Sequence, residues 1–160
     1  MPHRRHLTLV TFGFKFGSPN TNYYFDVSFL KNPAREERWG LFTQPGAEMR
    51  DFVLEQPPCQ AFLEVAVPLI HILLECDDDV RIGLGCSSGR HRSYIVAEEI
   101  KRRMQSEYVQ VRLIHRDYPL PRCMGRREVD VTHLRQGIPD GVINCAFADF
   151  PSFDMSNRNP

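Results

Sequence analysis

Cys86, Ser87, Ser88, Gly89, Arg90, His91, Arg92 and Ser93 follow one another inside the segment GLGCSSGRHRS, and together they are the groups that hold or attack a phosphate. Small residues let backbone N–H groups converge without Cβ obstruction, and a helix beginning near His91 adds its positive end. The guanidinium groups of Arg90 and Arg92 supply planar charge-assisted donors, while the serine hydroxyls can bond phosphate oxygens or cap the helix. Helix-terminus electrostatics contributes about 0.3 to 2 kcal/mol, so guanidinium contacts must do much of the binding. Two chemistries fit the spacing. The first is covalent: Cys86, Gly89, Arg92 and Ser93 match C-x-x-G-x-x-R-S, a phosphatase signature in which the thiolate attacks phosphorus and the arginine clamps the equatorial oxygens. In that alternative Cys86 and Arg92 are catalytic. It lacks a general acid, because Asp77, Asp78 and Asp79 lie at the wrong end of the preceding strand and Asp51 and Asp117 are poorly placed. Gly85 also stands where such enzymes usually have His. The second chemistry is non-covalent anion binding with no catalytic residue. A plain tight turn, its arginines paired with Glu98 or Glu99, would do neither.

The elements that must position this loop are legible in the hydrophobic periodicity. Val80, Ile82 and Leu84 alternate as a short strand, Gly85 to Gly89 reads as the turn, and Ile95, Val96, Ala97, Ile100 and Met104 mark an amphipathic helix. The basic residues Lys101, Arg102 and Arg103 close that helix in accord with its dipole. Leu7 to Phe12 predicts a buried strand, followed by a loop with Gly13, Lys15, Gly17 and Pro19. Tyr23 to Leu30 predicts a second strand, and Asn32 to Gly46 an irregular surface loop. Glu48 to Glu55 predicts a short helix. Cys59, Phe62, Leu63, Ala66, Val67, Ile70, Leu73 and Leu74 predict a core-facing helix that Pro68 should bend. Val109 to Ile114 predicts a further strand, so that strand, helix and strand succeed one another as in a parallel α/β unit. The expectation is one compact α/β domain whose mixed, mostly parallel sheet carries flanking helices and a strand-loop-helix anion site. It spans 1–128, and 129–160 is a partly irregular extension with a frayed end.

The chain of 160 residues is 42% hydrophobic and 25% charged, with 10 Gly and 12 Pro, which excludes disordered, collagenous and coiled-coil classes. Its net charge is zero but unevenly spread. From Lys101 to Arg127 eight basic residues face two acidic ones, and from Asn32 to Asp79 ten acidic residues face three arginines. A basic segment in a neutral domain is the least that can attract a polyanion. Cys59, Cys76, Cys86, Cys123 and Cys145 are odd in number, scattered and without a C-x-x-C pair, so neither a disulfide framework nor structural zinc is expected, nor any cofactor. Cys59 and Cys76 read as buried small hydrophobes. Glu64, Pro68 and His71 interrupt the stretch 61–74, and no apolar stretch long enough for a signal peptide follows MPHRRH, so no membrane contact and a cytoplasmic setting are expected.

Several ordered segments resemble the C-terminal domain of the RapZ/YvcJ family. GLGCSSGRHRS is similar to that family's IGCTGGKHRS loop, FGFKFGSP (Phe12 to Pro19) to GFKHGxP, and YFDVSFLKNP (Tyr24 to Pro33) to FDVRFLPNP. Leu41 to Val53 resembles the LTGLD segment with its following helix, and His115-Arg116 falls where the family has RHR after a strand. The resemblance implies an RNase adaptor that binds a small regulatory RNA, presents it to an endoribonuclease and senses glucosamine 6-phosphate. It places a phosphorylated small molecule at residues 86–93, with Ser87 and Arg92 as direct contacts and Lys15 nearby, and it implies a homo-oligomer. Full-length relatives also carry a nucleotide-binding half, but no G-x-x-x-x-G-K-[ST] occurs in this sequence, so ATP or GTP binding is not carried over. Phe16 replaces the histidine of GFKHG, Arg90 the lysine before His-Arg-Ser, and Ser88 a glycine, which bears on sugar selectivity. RNA binding is expected through Arg112, His115, Arg116, Arg122, Arg126 and Arg127. His91 and His115 read as polar core or surface residues rather than catalytic ones.

Overall fold

Leu7, Leu9 and Thr11 alternate with half-exposed neighbours along Arg5–Gly13, and that period of two makes the segment a strand, β1, with one face committed to the core. Residues 4–118 are described by the structure, a computed structural model of the chain. Within them the order continues with β2 (Tyr23–Asp26), α1 (Ala47–Leu54), α2 (Pro57–Cys76), β3 (Asp79–Cys86), α3 (Arg92–Met104) and β4 (Val109–His115). The strands form one sheet in the order β2-β3-β1-β4, and all three pairings are parallel. The sheet is therefore wholly parallel rather than mixed. The boundary expected at residue 128 and the extension 129–160 lie outside the described residues.

Parallel pairing needs long crossovers, and the two helical ones run from β2 to β3 and from β3 to β4. Both step the same way along the sheet. Their helices α2 and α3 pack against each other and both touch β1 and β3, so they share one face, with α1 against α2 and α3. The core lies between: Leu7, Leu9, Val80, Ile82 and Leu84 from the sheet meet Leu63, Ile70, Leu74, Ile95, Val96 and Ile100 from the helices.

The opposite face of the sheet is crossed by the β1–β2 connection, residues 14–22, which passes over β3. Gly83 and Gly85 make that passage possible. A Cβ on Gly85 would sit 2.5 Å from the Phe14 ring and 2.7 Å from Phe12, and one on Gly83 would meet Thr21 and Tyr24 at 3.0 Å. Gly85 and Cys86 belong to β3, where the sequence suggested a turn, because their register partners on the parallel strand β1, Phe12 and Gly13, extend just as far.

Other boundaries shift for local reasons. β2 stops at Asp26 rather than Leu30, because the Asp26 carboxylate accepts from Ser28 N at 2.8 Å and turns the chain. α2 runs unbroken through Pro68. With 20 residues, and a mean hydropathy of 1.6 over an 18-residue window, it is long and apolar enough to cross a membrane by length and composition, a test that a core helix also passes. Here it lays Cys59, Leu63, Ala66, Ile70 and Leu74 on the core and leaves Val65, Leu69 and Ile72 exposed. Cys59 is buried as expected, and burial pushes its thiol up to about 11. Cys76 is exposed, correcting its assignment to the interior.

Candidate functional site

A wholly parallel sheet brings the carboxyl ends of all its strands to one edge, so the loops after β1, β2, β3 and β4 meet there. The 87–91 loop lies at the centre of that edge, between the end of β3 and the first turn of α3. It is pressed onto the end of β1. Gly89 has φ +71, a left-handed conformation suited to glycine, and a Cβ there would lie 2.6 Å from Gly13 N. A Cβ on Gly13 would in turn meet the Ser88 backbone at 2.5 Å. Strand end and loop approach too closely for a side chain at either glycine.

Three neighbouring loops are tied to this one. Lys15 N donates to Ser87 O at 3.4 Å, which fixes the connection after β1. Arg92, 6% exposed, donates through Nη1 to the Ser28 and Leu30 carbonyls at 2.6 and 3.0 Å and through Nη2 to Ser87 Oγ at 3.0 Å. His91 Nε2 lies 2.8 Å from the Thr43 carbonyl. Burial holds the His91 imidazole below its ordinary pKa, with Arg90 and Arg92 adding to the effect against the Thr43 hydrogen bond, so the ring is neutral near pH 7 and Nε2 is the donor.

Arg92 is thus a pin between two loops and orients Ser87, whose hydroxyl accepts from it and keeps a proton to donate outward. Arg90 is placed differently. Its Cζ lies 4.8 Å from the centroid of the Phe42 ring, and its Nε and Nη1 are buried with no hydrogen-bond partner. Buried donors of a permanent cation are costly to leave unpaired. Neither loop arginine pairs with Glu98 or Glu99. Glu99 instead receives Arg50 at 3.1 Å, Arg102 at 2.7 Å and Arg103 at 2.8 Å, which hold its carboxyl down at about 2. Glu98 lies 3.2 Å from His115.

Cys86 sits beneath the loop, 2% exposed in the apolar core, with Sγ 3.2 Å from Ser93 Oγ. Phosphatase chemistry needs the thiolate open to phosphorus, the arginine on the equatorial oxygens and an acid over the leaving group. Here the sulfur packs among hydrophobes and Arg92 holds carbonyls. Asp117 accepts from Gly13 N at 2.7 Å and pairs with Arg116. Nothing in this arrangement supports that alternative.

The residues expected to meet RNA do not form one patch among the described residues. Arg112 is exposed on β4, on the face away from α3. His115 faces the helices, stacked on Tyr94 with ring centroids 3.9 Å apart and bonded to Thr11 at 2.9 Å. Burial lowers its pKa despite the Glu98 hydrogen bond. Arg116 donates to Gly17 O at 2.6 Å and to Asp117. Arg122, Arg126 and Arg127 lie outside the described residues. The sequence reading also overlooked Phe42, Thr43 and the Ser28 and Leu30 carbonyls; a phenylalanine in a polar loop was the only available signal, since backbone acceptors carry none.

Fold and site together define a parallel α/β domain with a serine-, glycine- and arginine-bearing loop at the carboxyl edge of its sheet. The sequence places it more narrowly: the model of the RapZ C-terminal domain matches residues 5–119, and the chain belongs to that family. Its relatives include nucleotide-binding proteins of Corynebacterium jeikeium, 39% identical over 117 residues, and of Lachnoclostridium phytofermentans, 37% identical over 117 residues. Each alignment covers 69% of this chain, but only 40% and 41% of those proteins. A nucleotide-binding protein of Frankia casuarinae is 35% identical over 121 residues, which is 72% of this chain and 42% of that one. The chain thus spans about two fifths of the length of these curated relatives.

Proposed function

We propose that this domain is a sensor or adaptor that binds a phosphorylated small molecule, of the amino sugar phosphate type, at residues 86–93, and that it also binds RNA. The Nε and Nη1 of Arg90 carry the reading, because they are cationic donors without a hydrogen-bond partner in a loop tied to its neighbours on three sides, where the Ser87 side chain is exposed. Phosphate oxygens supply the acceptors these groups lack. Lys15 adds a second cation from the loop after β1, and the positive end of α3 points to the same place. Ser87 donates its hydroxyl proton, and Arg92 positions Ser87 rather than clamping the ligand. Membership of the RapZ C-terminal domain family supports this general kind of function.

A metabolite phosphate and an RNA phosphate ask for the same donors, so the two ligands compete, and the metabolite then controls whether RNA or a ribonuclease partner is engaged. Titration with glucosamine 6-phosphate, fructose 6-phosphate and inorganic phosphate, read as thermal stabilisation, tests the site. Stabilisation by the sugar phosphates that is lost in Arg90→Ala supports the reading. Equal behaviour of wild type and Arg90→Ala contradicts it.

A further inference from the structure

Phe42 is the most exposed of the large apolar side chains described, with 74% of its surface open to solvent, and it takes no part in the apolar core. What it faces instead is a cation: Arg90 Cζ lies 4.8 Å from its ring centroid, within the range in which a guanidinium is drawn to an aromatic face. On that same guanidinium, Nε and Nη1 are closed off from solvent and have no hydrogen-bond partner. An anion cannot take these two donors while they are closed off, so phosphate binding there requires a local rearrangement.

The segment that carries the ring is the one placed to yield. Thr43 N donates to Gly40 O at 3.1 Å, and Gly40 N donates to Thr43 Oγ1 at 2.9 Å, so residues 40–43 close into a turn of their own. The Thr43 carbonyl ties that turn to His91 at 2.8 Å. Around its ends the backbone is uncrowded. A Cβ on Gly46 would meet nothing within 4 Å, and one on Gly40 only Thr43 Oγ1 at 3.9 Å, whereas Gly13 and Gly89 leave no such space. Lifting Phe42 from Arg90 therefore gives up a cation–π contact and no core packing. A charge-assisted pair with phosphate outweighs that contact, and an uncharged sugar offers nothing comparable.

We infer that Phe42 is a displaceable cover on Arg90: its ring holds the guanidinium until a phosphate takes Nε and Nη1, and then gives it up. The inference rests on the proposed phosphate-binding reading and adds to it the contact that controls access.

Trp39, the only tryptophan of the chain, stands three residues before Phe42 and packs on Arg38 at 4.2 Å and Phe52 at 5.4 Å, so its fluorescence reports the position of the turn. The test titrates the full chain with inorganic phosphate, as wild type, Phe42→Ala and Phe42→Tyr, and reads thermal stabilisation and Trp39 fluorescence in parallel. Arg90→Ala supplies the baseline for general salt effects. Both Phe42 variants should keep the wild-type midpoint without phosphate, which verifies folding. Removing the ring removes the competitor, so Phe42→Ala should bind phosphate about threefold more tightly, while Phe42→Tyr, which keeps an aromatic face, should bind as wild type does. Trp39 fluorescence in wild type should change over the phosphate range that raises the midpoint. Equal or weaker binding by Phe42→Ala overturns the cover and leaves the anion site standing, and so does a Trp39 signal that stays flat while phosphate stabilises the protein. A wild type no more stabilised than Arg90→Ala overturns the phosphate reading and this inference together.

Discussion

Arg90 and Arg92 are two residues apart and do different work because their surroundings differ. Arg92 is consumed by two carbonyls and a hydroxyl, so Arg92→Lys, which keeps the charge but loses the fork, should destabilise the domain by about 2 kcal/mol, as read by urea unfolding. Arg90→Ala removes donors without native acceptors and should leave stability nearly unchanged while weakening phosphate binding. Charged residues also set the acid limit of the fold. Glu99, held at about 2 against an ordinary 4.5, contributes stability that is complete above pH 4.5 and is lost as pH falls toward 2. That shift corresponds to roughly 3 kcal/mol, and Glu99→Gln should flatten this part of the stability profile. His91 and His115 act one step higher. Their folded pKa values lie below 6.5, so the unfolded chain takes up protons first and stability falls as pH drops below 6.5. Urea midpoints at stepped pH should show both declines, and a midpoint independent of pH between 7 and 5 would contradict the histidine assignment.

The elements show which signals a sequence carries. Alternation in β1 and β3 and the three- and four-residue spacing in α2 and α3 are imposed by burial of one face, and they were read correctly in type and order. The end of β3 was misread because Gly85 looks like turn chemistry, whereas its lack of a side chain serves the chain crossing above it. Such a role depends on residues 14–22, far away in sequence. β2 was read too long because an Asp26 side chain competing for backbone is indistinguishable, in sequence, from one pointing to solvent. At the candidate site, the connection between β3 and α3 was legible from residue type, but the different contacts of Arg90 and Arg92 were not. The acceptors of Arg92 are carbonyls 62 and 64 residues away. Gly85→Ala should destabilise by about 2 kcal/mol through overpacking against Phe14 and Phe12. Gly89→Ala should cost more, since it adds a left-handed backbone to a clash with β1. Chemical unfolding checks both, and a Gly89→Ala protein as stable as wild type would refute the account of how the loop is seated.

Across the whole molecule, balanced charge conceals a division that sequence counting detected but could not place. Of the basic residues between Lys101 and Arg116, Arg102 and Arg103 are spent on Glu99, and Arg116 is shared between Asp117 and Gly17. From that run this leaves Lys101 and, on the far face of β4, the exposed Arg112, to be weighed against Lys15 and Arg90 in the loops at the carboxyl edge. RNA affinity should therefore fall steeply with salt, and the slope should flatten more in a Lys15→Ala/Arg90→Ala protein than in Arg112→Ala. The central claim is that a rigid loop at the carboxyl edge of a parallel sheet presents unpaired donors to a phosphate. Its most direct measurement is the thermal midpoint of wild type and Arg90→Ala across a glucosamine 6-phosphate series, with unphosphorylated glucosamine as control. A rise of several degrees in wild type, much reduced in Arg90→Ala and absent with glucosamine, is the predicted result, and a midpoint unmoved by the phosphorylated sugar would contradict it.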